Sequence, residues 1–136
     1  MHAFKYHRPS SVNDAAALIK GEAKLLAGGQ TLVQTMKLRL ASPSDIIDLG
    51  TIKDLAGIKS DGKNVTIGAM TRHADVAHSA DVKKAIPALA ALAAMIGDRQ
   101  VRAMGTIGGS VANNDPAADY PAALLALNAT IITNKG

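Results

Sequence analysis

Apolar positions in the first fifty residues recur at helical spacing in two places, separated by short continuous runs. Val12, Ala15, Ala16 and Ile19 lie three or four apart behind Ser10-Ser11, the spacing of one helix face after an N-cap, and Gly21 stops that helix. Lys24–Ala27 reads as a short buried strand that Gly28-Gly29 breaks. Helical spacing resumes at Leu32, Val33, Met36 and Leu40, which makes Gly28–Thr31 a strand-to-helix turn, and Asp45–Leu49 reads as a further strand. Helix, strand, helix, strand is the pattern of a small α/β unit with parallel strands.

The pattern changes near Thr51. Gly57–Ser60 and Asn64–Gly68 flank Asp61-Gly62, a hairpin signal. Thr71 is expected to cap a short helix running to about His78. Ala85–Ile96 is an alanine-rich helix with Leu89, Leu92, Ala93 and Ile96 on one face, Pro87 in its first turn and Gly97 at its end. Arg99–Thr106 is expected to be extended, Tyr120–Leu127 a helix opened by Pro121, and Ala129–Thr133 a strand. Hairpins plus helices give this half an α+β texture, so a subdomain boundary is placed near residues 51–56. A strand followed at once by Thr133–Gly136 reads as an unfinished sheet.

Two glycine pairs carry the candidate chemistry. The first is Ala27-Gly28-Gly29-Gln30-Thr31, after a strand and before a helix. Glycines let a backbone approach an anion and take positive φ, successive N–H groups can point inward, and a helix N-terminus adds partial positive charge. A tight turn without a ligand explains the same residues. The second pair lies in Thr106-Ile107-Gly108-Gly109-Ser110 and runs on through Asn113, Asn114, Asp115, Pro116, Ala117, Ala118 and Asp119. Thr106, Ser110, Asn113 and Asn114 add short polar donors. Asp119 suits hydrogen bonds from a ribose or ring system, and equally suits a cap or dipole partner for the Pro121 helix. Neither pair is a G-x-x-x-x-G-K-[ST] loop, and no G-x-G-x-x-G opens the first helix. Two separated glycine turns fit one ligand with two phosphates held from two sides.

Four segments in order carry a resemblance: Ala27–Leu32, Met36-Lys37-Leu38-Arg39, Ile67–Thr71, and Gly105 unbroken to Asp119-Tyr120-Pro121, with Phe4–Pro9 at the start. Together they resemble the FAD-binding medium subunit of molybdenum hydroxylases, the family of the carbon monoxide dehydrogenase medium subunit and the xanthine dehydrogenase flavin subunit. The resemblance implies an α+β FAD-binding fold of the vanillyl-alcohol oxidase type. In it, residues 1–55 would form a small N-terminal α/β subdomain and residues 56–136 an incomplete second α+β subdomain. It further implies that the cofactor is non-covalent FAD, held by Ala27, Gly28, Gly29, Gln30, Thr31 and Leu32 and by Thr106, Ile107, Gly108, Gly109 and Ser110. Both loops would present main-chain amides to its pyrophosphate. Thr71 would start a helix close to the flavin, with Asn113, Ala118 and Asp119 as further contacts. Medium subunits of this family continue well past residue 136, so the chain is expected to be truncated at its C-terminus.

The implied function is electron transfer within a heterotrimer. A molybdopterin large subunit oxidises the substrate, 2Fe-2S clusters on an iron–sulfur small subunit relay the electrons, and FAD passes them to an external acceptor. Such a subunit is an oxidoreductase component that needs no catalytic acid–base pair or nucleophile of its own, and none is evident. The alternatives are a medium subunit serving a xanthine, aldehyde or aromatic-heterocycle dehydrogenase, and a truncated assembly module without cofactor.

Composition narrows this little further. Hydrophobic residues make up 48% of the 136, and only Phe4, Tyr6 and Tyr120 are aromatic, so any core is aliphatic. The chain has no cysteine, which removes disulfides, thiolate metal sites and a thiol nucleophile. The charge of +4 fits a mildly basic surface better than a nucleic-acid binder, because no basic stripe is interleaved with stacking aromatics. Lys37, Arg39, Arg99 and Arg102 flank the glycine loops, as a solvated face or as partners for a diphosphate. His2, His7, His73 and His78 read as surface residues, with no metal site expected. No signal-peptide or membrane-spanning run is present, and a cytoplasmic address follows by default.

Overall fold

A computed structural model describes residues 1–135. Its N-terminal part is a three-stranded parallel sheet in the order β1-β3-β2, built from β1 (Lys5–His7), β2 (Lys24–Leu26) and β3 (Asp45–Asp48). Tyr6 pairs with Ile46 and Leu25 with Ile47, so β3 is central. Its Ile46 and Ile47 are buried. Helix α1 (Val12–Leu18) is capped by Ser11, whose hydroxyl accepts from the Asp14 amide at 3.1 Å. Helix α2 (Leu32–Lys37) follows the first glycine pair. Ala15, Ala23, Ile47 and Ile52 form the core of this part. The α/β reading with parallel strands is borne out. The buried-strand expectation at 24–27 is not, because β2 is an edge whose Lys24 and Leu25 are exposed. Strand β1 has no apolar signature; it is recruited by pairing, with His7 bonded to Asp45 at 2.7 Å and the Tyr6 hydroxyl donating to Asp48.

Two single 3-10 turns, Leu49–Thr51 and Lys53–Leu55, lead to the hairpin of β4 (Ile58–Ser60) and β5 (Val65–Ile67). The turn forms where Asp61-Gly62 signals it. The Asp61 carboxylate accepts the Lys63 and Asn64 amides at 2.8 and 2.7 Å, which lowers its pKa. Helices α3 (His73–His78), α4 (Ala80–Ala85) and α5 (Pro87–Met95) follow. Pro87 sits in the first turn of α5 as expected, but Ile86 before it is pushed out of helical geometry, so α4 and α5 are separate helices. Val76, Ala77, Val82, Leu89, Ala90, Ala93, Ile107 and Tyr120 form the second core, against which the hairpin residues Ile58, Val65 and Ile67 pack.

Three expectations fail here. Residues 99–104 form helix α6 (Arg99–Met104) and are not extended. Asp98 caps that helix through the Val101 amide at 2.8 Å, and Arg102 donates to the carbonyls of Ile96 and Gly97 at 3.0 and 2.9 Å. The second glycine pair lies inside α7 (Ile107–Asn113), not in a loop. After α8 (Asp119–Ala126), residues 129–133 form no strand, and Ile131 and Ile132 are exposed. Among the described residues no helix is long and apolar enough to cross a membrane.

Candidate functional site

The first glycine pair turns the chain from β2 into α2 as the sequence requires. Gly29 takes φ of +72°, a conformation that disfavours a side chain. The carbonyls of this turn are used within the protein: Gly29 accepts from Val33, and Gln30 reaches back to the Gly28 carbonyl at 3.4 Å. The donors are a different matter. Among the described residues, the amides of Gly28, Gly29, Gln30 and Thr31 make no hydrogen bond to a protein acceptor. Thr31 stands at the N-cap of α2, and its hydroxyl makes no capping bond. Leu32 opens the helix half-buried. Consecutive unpaired amides beside an exposed hydroxyl form a donor row suited to an anion.

The second glycine pair works by proximity. A Cβ on Gly28 would stand 2.1 Å from the Met104 carbonyl oxygen and 2.8 Å from Gly105 Cα, so two backbones cross there in contact. A Cβ on Gly109 would lie 3.4 Å from Ala27 Cβ, which sets the two glycine pairs side by side. Gly108 is pressed on Ala69, and its amide donates to the Ala69 carbonyl at 2.8 Å. The amides around this pair are all engaged: Ile107 with the Thr71 carbonyl at 3.0 Å, Gly109 with the Thr106 hydroxyl at 3.2 Å, and Ser110 with the Thr106 carbonyl at 3.0 Å. Thr106 is therefore the N-cap of α7 and is buried.

Thr71 is 2% exposed and does not cap α3. Its hydroxyl accepts from the Gly57 amide at 2.9 Å and donates to the Gly57 carbonyl at 3.0 Å, clamping the hairpin to the start of α3. Asn113 ends α7 and is exposed. Ala118 is the N-cap of α8 and Asp119 its first residue; the Asp119 carboxylate makes no capping bond, so the cap reading gives way to a favourable place in the first turn. Among the flanking cations, Arg102 is committed to the end of α5, while Lys37, Arg39 and Arg99 are exposed. His73 corrects the surface reading: it is 5% exposed, packed against the Tyr120 ring with centroids 5.3 Å apart. Burial lowers the His73 pKa and pushes the Tyr120 hydroxyl far up. The small residue Gly105, against which His73 packs, was the available sign of that burial.

Residues 2–136 match the family described as the FAD binding domain in molybdopterin dehydrogenase. The chain belongs to that family. This FAD-binding domain is 46% identical over 132 residues to the carbon monoxide dehydrogenase medium chain of Hydrogenophaga pseudoflava, covering 95% of the chain and 46% of the relative. It is 44% identical over 134 residues to the glyceraldehyde dehydrogenase medium chain of Sulfolobus acidocaldarius, covering 97% and 48%. It superposes on a solved chain of carbon monoxide dehydrogenase from Hydrogenophaga pseudoflava with a TM-score of 0.86 at 48% identity, over 88% of this chain and 43% of that one. The domain thus spans about half the length of the curated relatives it matches. Its mixed architecture is the FAD-binding fold of the vanillyl-alcohol oxidase type.

Proposed function

We propose that the chain holds FAD non-covalently, with its pyrophosphate on the amides of Gly28, Gly29, Gln30 and Thr31. The observation that carries this reading is the row of four unpaired amides, backed by the Gly28–Gly105 crossing. Donors and spacers divide the work. Ala27, Gly28, Gly29, Gln30, Thr31 and Leu32 supply the donor face. Thr106, whose hydroxyl caps α7, and Ile107, Gly108, Gly109 and Ser110, whose amides are engaged internally, bring the glycine surface of that helix up to it. Asn113, Ala118 and Asp119 line the far end, where the free Asp119 carboxylate is an acceptor for ribose or ring N–H and O–H groups. Thr71 acts from beneath, by holding the Ala69 and Thr71 carbonyls on α7.

When bound, FAD accepts and releases electrons one or two at a time; the protein orients it and sets its surroundings. The chain would serve as the flavoprotein part of a cytoplasmic molybdenum-containing dehydrogenase of the carbon monoxide dehydrogenase type. Its partners would be a molybdopterin large subunit and an iron–sulfur small subunit in a heterotrimer. Residues 1–55 and 56–136 would be two subdomains around one cofactor, each with its own apolar core. The similar identity to a glyceraldehyde dehydrogenase chain keeps a second substrate class in play, since neither likeness touches the substrate-oxidising subunit.

The test is equilibrium titration of the purified chain with FAD, followed by flavin absorbance and fluorescence, with ADP and FMN as competitors. FAD should bind, and ADP, which keeps the diphosphate, should compete better than FMN. A folded chain that is colourless and takes up no FAD would overturn the assignment and favour a cofactor-free assembly module.

A further inference from the structure

His73 Nδ1 and Tyr120 Oη are the two buried side-chain polar atoms without a hydrogen-bond partner among the described residues. They belong to rings that touch, tilted at 44°, in an otherwise aliphatic core. An apolar side chain of the same shape would serve that core better, because a buried unsatisfied polar atom is costly. Two such atoms on neighbouring rings can be satisfied together: a neutral imidazole has one acceptor nitrogen, and a phenol has one O–H donor.

The location gives the pair a role. The His73 amide donates to the Gly105 carbonyl at 2.9 Å, and the imidazole Nε2 is 2.6 Å from where a Cβ on Gly105 would stand. Gly105 is one wall of the crossing with Gly28. Tyr120 directly follows Asp119 in α8. The two rings therefore connect the start of α8, carrying the free Asp119 carboxylate, to the backbone crossing that joins the glycine pairs.

We propose that one enclosed water joins Tyr120 Oη to His73 Nδ1, accepting from the phenol and donating to the imidazole, and that this bridge makes both residues positioning residues for the flavin site. The bridge selects the imidazole tautomer with its proton on Nε2. It also sets Asp119 at a fixed distance from the Gly28–Gly105 crossing. The first statement concerns the protein alone, and the second rests on the FAD reading above.

The experiment uses the full 136-residue chain and has two readouts. Nitrogen-15 NMR of the imidazole should show neutral His73 protonated at Nε2, with an Nδ1 resonance shifted by an accepted hydrogen bond, and Tyr120→Phe should move that resonance while the fold is kept. FAD titration should show binding about five- to tenfold weaker in Tyr120→Phe and in His73→Leu, the loss of one hydrogen bond. His73→Asn, whose side-chain oxygen can take the place of Nδ1, should recover most of the affinity. A proton on Nδ1, or an Nδ1 resonance indifferent to Tyr120→Phe, overturns the bridge. Unchanged FAD affinity in a folded Tyr120→Phe chain overturns the positioning role while wild-type binding keeps the flavin assignment. Absence of FAD binding in the wild type removes that assignment and the positioning role together, and leaves the NMR result on the bridge intact.

Discussion

Replacing Thr71 by valine separates the two roles this residue has been given. The sequence resemblance puts Thr71 near the flavin, whereas the structure buries it to 2% exposure and spends its hydroxyl on both polar groups of Gly57. Valine keeps the shape and removes both bonds. Each is worth about 1 kcal/mol net, and Gly57 lies exposed, so water can re-solvate its amide and carbonyl and hold the cost near that figure. The expected loss is about 2 kcal/mol, a fall in Tm of roughly 6–8 °C for a domain of this size. Urea and thermal unfolding followed by circular dichroism measure it, with Thr71→Ser, which keeps the hydroxyl, expected within about 0.5–1 kcal/mol of wild type. FAD affinity, read at a temperature where both variants are folded, should change less than stability does. A Thr71→Val chain as stable as wild type but unable to bind FAD would refute the clamp and restore direct contact with the cofactor.

Four further outcomes follow from the same structure. Gly28→Ala should unfold the crossing, at or above the ~1–3 kcal/mol of ordinary overpacking, because its Cβ meets backbone that no rotamer change can clear. Gly21→Ala is the control: it has φ of +55° but nothing within 4 Å, so urea titration should give only the ~1–2 kcal/mol of left-handed strain. Arg102→Ala should lose about 1–2 kcal/mol with FAD binding unchanged, because its guanidinium serves the Ile96 and Gly97 carbonyls. Stability should also fall with acid in two stages. Burial lowers the His73 pKa, so the unfolded chain binds the extra proton; its contribution is whole above about pH 6.5 and is lost as pH falls through the lowered folded value. Asp45, held low by its bond to His7, adds a second loss below about pH 4, and urea midpoints across pH 3–8 would show both, with the upper stage absent in His73→Leu.

What could be read from the sequence was what local chemistry alone decides. Ser11 before an apolar face, Asp61-Gly62 between two short runs, and Pro87 at a helix start each specify backbone geometry within a few residues, and each element forms where expected. Where the fold departs from the sequence pattern, the partner is distant for β1 and for the second glycine pair and local for residues 99–104. Strand β1 holds through His7 to Asp45 and Tyr6 to Asp48, about forty residues on, so its own Lys-Tyr-His offers no pattern. Residues 99–104 look extended until Asp98 is seen as a cap and Arg102 as a brace on the preceding helix. The glycine pairs show the same division within the site. Gly28-Gly29 is a turn for local reasons. Gly108-Gly109 needs its glycines because Ala69 and Ala27 lie against the first turn of α7, a packing demand that looks in sequence just like a phosphate loop. Two identical dipeptides thus do different work, one by leaving amides unpaired and the other by having no side chains. The difference lies in where each N–H goes, and only the folded chain decides that.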